Sequence, residues 1–167
     1  SAQNKLLDLN ILGGVGYSIV DVAQGAGWDS AYLEDWSEFH WKVTAQGMYM
    51  ITDRAGIGAE IGYQSLFYYY FRIPSGSGYY YYRSGTVAPF SISLVAQYYF
   101  TPNFYLQGAP GAYIYGDGVA FGLFSAAGYT IMINDTIGIP IGLRVDVIFA
   151  LATTIPISVT AGLKIKI

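Results

Sequence analysis

Residues 155–167 read IPISVTAGLKIKI, and apolar side chains occupy every second position of this stretch. The apolar set comprises Ile155, Ile157, Val159, Ala161, Leu163, Ile165 and Ile167. The set between them comprises Pro156, Ser158, Thr160, Gly162, Lys164 and Lys166. A two-residue period is typical of a β-strand, whose successive side chains point to opposite faces of its sheet. Because the core of a soluble protein would not accept these lysines, the pattern predicts a membrane strand whose polar face lines the interior.

The composition indicates a membrane protein that crosses the bilayer with strands. Of the 167 residues, 53% are hydrophobic, 17% are aromatic and only 11% are charged. Glycine, serine, proline or a charged residue still interrupts every apolar run, well short of the ~20 residues that a membrane-spanning helix needs. In lipid the backbone must satisfy its own hydrogen bonds, and a closed β-barrel is the alternative to a helix. We therefore predict one all-β domain over residues 1–167, a transmembrane antiparallel up-and-down β-barrel.

Eight segments repeat the alternation, and turn-forming residues separate them. We predict strands at 5–20, 37–51, 56–72, 86–100, 104–115, 120–133, 136–149 and 155–167. The connections at 52–55, 101–103 and 134–135 are short, whereas those at 21–36 and 74–78 are longer. Outer-membrane barrels have short periplasmic turns and longer outer loops, so we expect both termini in the periplasm. The prolines inside these segments indicate either β-bulges or different strand limits: Pro89, Pro110, Pro140 and Pro156.

With alternating segments, aromatic residues near the segment ends and small residues on the polar faces, the chain resembles the small OmpA/OmpX-type outer-membrane barrels. The resemblance extends over nearly the whole chain and concerns architecture rather than a signature motif. It implies an eight-stranded barrel in the outer membrane of a Gram-negative bacterium, in contact with lipid and lipopolysaccharide. It implies no particular activity, because one fold supports many functions.

Charged and amide side chains fall on the predicted inner face of the barrel. The interior of an eight-stranded barrel is just wide enough for side chains to fill it, and a charge in that space needs a partner. We interpret these residues as a polar network that plugs the lumen, and the alternative is a narrow channel for ions or small solutes. The network residues are Lys42, Glu60, Arg144, Asp146, Gln46 and Gln64.

The single histidine, His40, is the obvious candidate for catalysis. A hydrolase or acyltransferase needs a serine, and usually a carboxylate, beside the histidine. In a strand Ser37 would point away from His40, and only Glu38 shares its face. We therefore predict no catalytic residues and a protein that is not an enzyme, with a lipid-modifying outer-membrane enzyme as the second alternative.

Other classes of site have little support in the sequence. The chain contains no cysteine, which excludes thiol catalysis and cysteine-ligated metals. It carries no metal-binding motif or phosphate loop, so we predict no cofactor and no metal. The net charge is -3 and lysine and arginine form no cluster, so we expect no nucleic acid partner.

Consecutive aromatic residues are the most individual feature of the chain. The runs FYYYF at 67–71 and YYYYR at 79–83 flank the predicted turn at 74–78. Strict alternation places Tyr68 and Tyr70 on the inner face, yet consecutive aromatics occupy both faces, whereas an aromatic belt needs one. We predict a structural, adhesion or partner-binding protein whose hairpin rises above the membrane and binds an extracellular protein, a glycan or a larger outer-membrane complex. The candidate residues are Tyr68, Tyr70, Tyr79, Tyr80, Tyr81, Tyr82, Trp28 and Trp36.

Overall fold

Eight antiparallel strands close into a barrel in the computed structural model of the protein. The structure describes residues 7–20, 32–74, 80–150 and 153–167. The barrel strands are β1 (Leu7–Val20), β3 (Phe39–Met50), β4 (Ala55–Ser65), β7 (Phe90–Tyr99), β8 (Phe104–Tyr115), β9 (Gly118–Met132), β10 (Ile137–Phe149) and β11 (Thr154–Lys166). Each pairs with the next barrel strand along the chain, and β1 pairs with β11 to close the sheet. The predicted eight-stranded up-and-down barrel is confirmed.

Alternation along each strand places polar side chains inside the barrel and apolar side chains outside. On β11, Lys164 is buried, whereas Val159 and Leu163 are exposed, as the sequence of this strand predicts. On β7, Leu94 is 70% exposed and its neighbour Ser93 is 2% exposed. This arrangement reverses that of a soluble core and suits a barrel surrounded by hydrocarbon.

In the described part of the chain, no helix is long and apolar enough to cross a membrane.

Three further strands form a separate sheet beyond one end of the barrel. They are β2 (Tyr32–Ser37), β5 (Phe67–Pro74) and β6 (Tyr80–Val87), and they pair in the order β2-β5-β6. Each continues a barrel strand, because β2 precedes β3, β5 follows β4 and β6 precedes β7. We call the end of the barrel that carries this sheet the loop end. The opposite end, with the short connections at 51–54, 100–103 and 133–136, is the turn end.

Two predicted strands at the loop end are each divided in the structure. The segment 56–72 breaks at Leu66, and the segment 86–100 breaks immediately before Phe90. Ser65 and Leu66 are both buried, so the alternation shifts by one residue at this point. The inward position predicted for Tyr68 is therefore wrong, because its side chain is 37% exposed.

The prolines inside barrel strands leave the strand register unchanged. Pro140 and Pro156 lie between β10–β11 pairs that keep one register, and Pro110 lies between β7–β8 pairs that do the same. Each proline lacks its own backbone donor, but the pairs on either side hold the strands in alignment. Of the two alternatives that the sequence left open, β-bulges are thus not formed at these three prolines. Pro89 lies outside the strands, in the break between β6 and β7.

The turns at the turn end share one construction. The hydroxyl oxygen of Thr52 accepts hydrogen bonds from the backbone N–H groups of Arg54 at 3.2 Å and Ala55 at 2.9 Å. Thr101 and Asn134 accept bonds in the same way from the residues two and three positions later. A side-chain oxygen that binds the backbone a few residues on stabilises a tight turn. These turns therefore help to fix how consecutive strands align.

Candidate functional site

An ion-pair network crosses the middle of the barrel lumen. The Arg144 guanidinium donates hydrogen bonds to both carboxylate oxygens of Glu60, each at 2.8 Å, and to Oδ1 of Asp146 at 2.8 Å. Lys42 Nζ donates to Asp146 Oδ2 at 2.8 Å, and the Tyr113 hydroxyl donates to Asp146 Oδ1 at 2.8 Å. None of the charged side chains is more than 3% exposed. Two positive and two negative charges therefore neutralise one another inside the barrel.

Glutamine side chains extend this network toward the turn end. Gln46 Nε2 donates to Glu60 Oε2 at 2.6 Å. Gln107 Nε2 donates to Gln46 Oε1 at 3.2 Å and to Gln97 Oε1 at 2.6 Å. Gln64 does not join them, because both polar atoms of its buried amide lack a hydrogen-bond partner among the described residues. The structure thus brings Gln46 together with the charged residues and leaves Gln64 apart.

A second polar cluster lies at the turn end. Lys164 Nζ lies 2.5 Å from Asp8 Oδ2, and it also donates to the hydroxyl of Tyr99. All three side chains are buried. Because Asp8 lies on β1 and Lys164 on β11, this ion pair joins the first and last barrel strands across the seam that closes the sheet.

Apolar side chains cover the lumen at the loop end. Leu66 and Ile148 are fully buried there, and Phe67 and Val87 of the three-stranded sheet pack against them. We call the buried cluster the lumen cap; it consists of Leu66, Tyr113, Ala120 and Ile148. The alternation of the sequence did not predict the cap, because it indicated a polar interior along the whole barrel. The available signal was Ile148, which shares its face of β10 with Arg144 and Asp146.

The lumen cap and the ion-pair network lie next to each other along the lumen. Tyr113 connects them, because its ring belongs to the cap and its hydroxyl binds Asp146. The Arg144 guanidinium also lies 3.5 Å from the centre of the Phe124 ring. Within the described ranges, no group of three or more carboxylate or imidazole side chains is placed to hold a metal ion. Charge pairing and aromatic packing connect the network to the cap in the described residues.

His40 has a structural setting at the break between β4 and β5. Its ring Nδ1 lies 2.8 Å from the backbone carbonyl oxygen of Ser65. A carbonyl oxygen only accepts, so Nδ1 carries the proton and donates. Nε2 has no hydrogen-bond partner among the residues that the structure describes, and Glu38 is exposed. Together with the Ser18 hydroxyl, which donates to the carbonyl oxygen of Leu66 at 2.6 Å, His40 holds the inward turn of this break.

The predicted binding residues divide between the three-stranded sheet and segments outside the described residues. Trp28 and Tyr79 lie outside those residues. The remaining candidates lie in the strands of the sheet: Trp36, Tyr68, Tyr70, Tyr80, Tyr81 and Tyr82.

The backbone pairing of β5 with β6 gives this sheet two distinct faces. Phe67 pairs with Val87, and Tyr68 pairs with Thr86, with no change of register up to the end of β5. Phe67 and Val87 pack against the lumen cap, whereas Tyr68 and Thr86 are exposed. Phe67 and Val87 therefore share the face turned toward the cap, and Tyr68 and Thr86 share the opposite face.

Comparison with solved structures shows the same fold in small outer-membrane barrels. Neisserial surface protein A (NspA) is similar with a TM-score of 0.62 and 12% identity, over 96% of this chain and 97% of that one. OprG from Pseudomonas aeruginosa gives a TM-score of 0.58 at 13% identity, over 96% and 95%. Ail of Yersinia pestis gives 0.51 at 10% identity, over 95% and 99%. These likenesses confirm the resemblance to eight-stranded outer-membrane barrels and concern the fold.

No family model and no curated protein matches the sequence.

Proposed function

We propose that this chain is a non-enzymatic outer-membrane barrel that presents the β2–β5–β6 sheet to a partner outside the cell. Its role would be structural, adhesive or complex-forming. One observation carries the proposal: three barrel strands continue beyond the lumen cap as a separate, tyrosine-rich sheet. A barrel that served only to cross the membrane would not need strands that extend beyond its own sealed lumen.

The orientation of the barrel follows from its connections. The turn end has tight turns, whereas the strands of the separate sheet extend from the loop end. In outer-membrane barrels the short turns lie in the periplasm and the longer connections outside. We therefore assign both termini to the periplasm and the three-stranded sheet to the extracellular side.

The sequence of the β5–β6 hairpin suits recognition of another macromolecule. Residues 75–86 read SGSGYYYYRSGT. Tyrosine, serine and glycine dominate the recognition loops of antibodies, because tyrosine supplies a large amphipathic contact area at low entropy cost and the small residues adapt around it. A protein or glycan surface is accordingly the partner that this hairpin fits.

The outer face of the sheet is the part that we assign to binding. At its base Tyr68 and Thr86 are exposed, while the opposite face is occupied by the packing of Phe67 and Val87 on the lumen cap. Because the register of β5 with β6 is constant and strand side chains alternate, we assign the further even-numbered tyrosine positions to the face of Tyr68. These are Tyr70, Tyr80 and Tyr82.

The lumen favours this role over transport or catalysis. Leu66 and Ile148 are fully buried in the cap. Next to the cap, the Arg144 guanidinium is held by the carboxylates of Glu60 and Asp146. Solute passage would require both layers to rearrange. His40 is bonded to the backbone carbonyl of Ser65, and no serine or carboxylate among the described residues partners it as in a hydrolytic base.

The test compares two faces of one strand. Cells displaying the wild type, Tyr80→Ser/Tyr82→Ser, or Tyr81→Ser would be applied to immobilised heparin and to an immobilised extracellular-matrix protein. Heparin is a reasonable probe because the Ail structure was solved with a heparin analogue. We expect the double variant to lose binding about tenfold on the probe that retains wild-type cells, and Tyr81→Ser, at an odd position, to change it little.

Folding serves as the control in this experiment. All three proteins should show the same heat-dependent shift in gel mobility, because the replaced residues lie beyond the barrel. Wild-type cells that bind neither probe, or a double variant that binds as well as the wild type, would contradict the proposal. Loss of the mobility shift in the double variant would mean that Tyr80 and Tyr82 support the barrel instead.

A further inference from the structure

The hydrogen-bonded groups of the lumen fall into two clusters, and Tyr99 of one lies near Gln97 of the other. The turn-end cluster contains Asp8, Lys164 and Tyr99. The central cluster runs from Lys42 through the ion pairs to Gln97, its last member toward the turn end. A small cavity of about 10 Å³ lies between them, and both Gln97 and Lys164 line it.

Two buried polar atoms, one on each of two residues that line the cavity, have no partner among the described residues. They are Nε2 of Gln97, a residue that is 6% exposed, and Oγ1 of Thr130, a residue that is 2% exposed. The amide of Gln97 is fixed in orientation, because its oxygen accepts a hydrogen bond from Gln107 at 2.6 Å. Its NH₂ group lies near the Tyr99 hydroxyl but makes no hydrogen bond of good geometry, so it remains a donor without a well-placed acceptor among the described residues. Buried donors are nearly always satisfied in folded proteins, so this pair of atoms points to an occupant of the cavity.

The size and chemistry of the cavity restrict that occupant. A volume of about 10 Å³ is near the least that holds one water molecule. The occupant must accept from the Gln97 amide and bond to the hydroxyl of Thr130. The ammonium group of Lys164, which also lines the cavity, disfavours a cation. A larger anion or organic molecule would not fit without displacing the wall.

We propose that this cavity is a binding site for one ordered water molecule held by Gln97 and Thr130. A water molecule accepts and donates, so it satisfies both atoms at once. It lies between the two clusters and within the reach of side chains from each, because Tyr99, Lys164 and Gln107 also line the cavity. The lumen then has a polar column that continues from the central ion pairs to the β1–β11 seam.

The test observes the water from the Gln97 side chain. Water-to-protein magnetisation transfer in solution NMR, with the refolded barrel in detergent micelles, would report a long-lived water beside the Gln97 side-chain amide protons. We expect a clear transfer peak in the wild type and its loss, or a reduction of at least about fivefold, in Thr130→Val. Thr130→Ser, which keeps the hydroxyl, should retain the peak.

A matched control uses a second buried hydroxyl. Ser93 also lacks a partner among the described residues, but it does not line this cavity. Ser93→Ala should therefore leave the Gln97 peak unchanged. Absence of the peak in the folded wild type, or an equal peak in Thr130→Val, would overturn the assignment. Should Thr130→Val fail to fold, the wild-type peak and its retention in Thr130→Ser still decide the outcome.

Discussion

Arg144 is the residue whose removal should disturb the lumen most. It binds both oxygens of Glu60 and also binds Asp146, and all of these side chains are buried. Arg144→Met leaves Glu60 without a cationic partner in a water-poor space, which typically costs about 3–5 kcal/mol. We expect the free energy of unfolding, measured by urea titration in micelles, to fall by about that amount.

A compensating replacement separates charge from packing in this prediction. Glu60→Gln added to Arg144→Met removes the unpaired carboxylate, while Asp146 keeps Lys42 and Tyr113. The double variant should regain a substantial part of the lost stability. A double variant as unstable as the single one would show that the packing of Arg144 against Phe124, rather than its charge, stabilises the lumen.

Gln64 should behave in the opposite way. Its buried amide has no hydrogen-bond partner among the described residues, and a buried unsatisfied polar group costs about 1–3 kcal/mol. Gln64→Met keeps the approximate shape and removes the amide, so the same urea titration should show equal or higher stability. Gln46→Met is the matched control, because it breaks bonds to Glu60 and Gln107 and should lower stability. Similar losses in both variants would contradict this account.

Alternation predicts the inner face of the barrel well but does not predict which inner side chains bond to each other. Lys42, Gln46 and Gln64 all follow the two-residue period and are all buried. Only the distance across the lumen decides that Lys42 reaches Asp146 while Gln64 meets no partner in the described part of the chain. That distance depends on how the closed sheet curves, which no single strand specifies.

At the scale of the element, the seam between β1 and β11 depends on glycine. A β-carbon on Gly16 would lie 1.8 Å from the backbone oxygen of Ile157, so alanine there must push the two strands apart. A β-carbon on Gly13, also in the seam, would meet nothing closer than 4.0 Å. We expect Gly16→Ala to reduce the refolded fraction severely and Gly13→Ala to leave it near the wild-type level, as measured by gel mobility shift. Equal yields would mean that the seam relaxes easily around Gly16.

The strand breaks at the loop end are a feature that the two-residue alternation of the sequence does not predict. The segment 56–72 is predicted to be one strand, because its alternation passes into a run of tyrosines without a turn-forming sequence between them. The break at Leu66 comes from partners far away in the sequence, since Ser18 and His40 bind the carbonyl groups of Leu66 and Ser65. The prolines inside strands have the opposite effect on prediction, because they suggest irregularities that the structure does not contain. Neighbouring pairs in the closed sheet hold the strands aligned around Pro110 and Pro140.

At the scale of the whole molecule, the closed lumen predicts that the barrel conducts no ions. The refolded barrel in a planar bilayer should show no steady conductance, because the cap and the ion-pair network lie in series along the lumen. A steady, ion-selective current that changes in Arg144→Ala would contradict this and favour a channel. Confirmed folding by gel mobility shift must accompany a silent recording.

The three-stranded sheet grows from β3, β4 and β7, which are consecutive neighbours around the barrel. The adjoining part of the rim differs, because β8 and β9 are joined there by a turn that pairs Tyr115 with Gly118. The described part of the rim is therefore asymmetric, with extended strands above β3, β4 and β7 and a short turn between β8 and β9. In a crowded membrane, a neighbouring protein with a large extracellular domain can approach closely beside the β8–β9 turn but not beside the three-stranded sheet. The rotation of the barrel about its axis therefore determines which proteins can contact it.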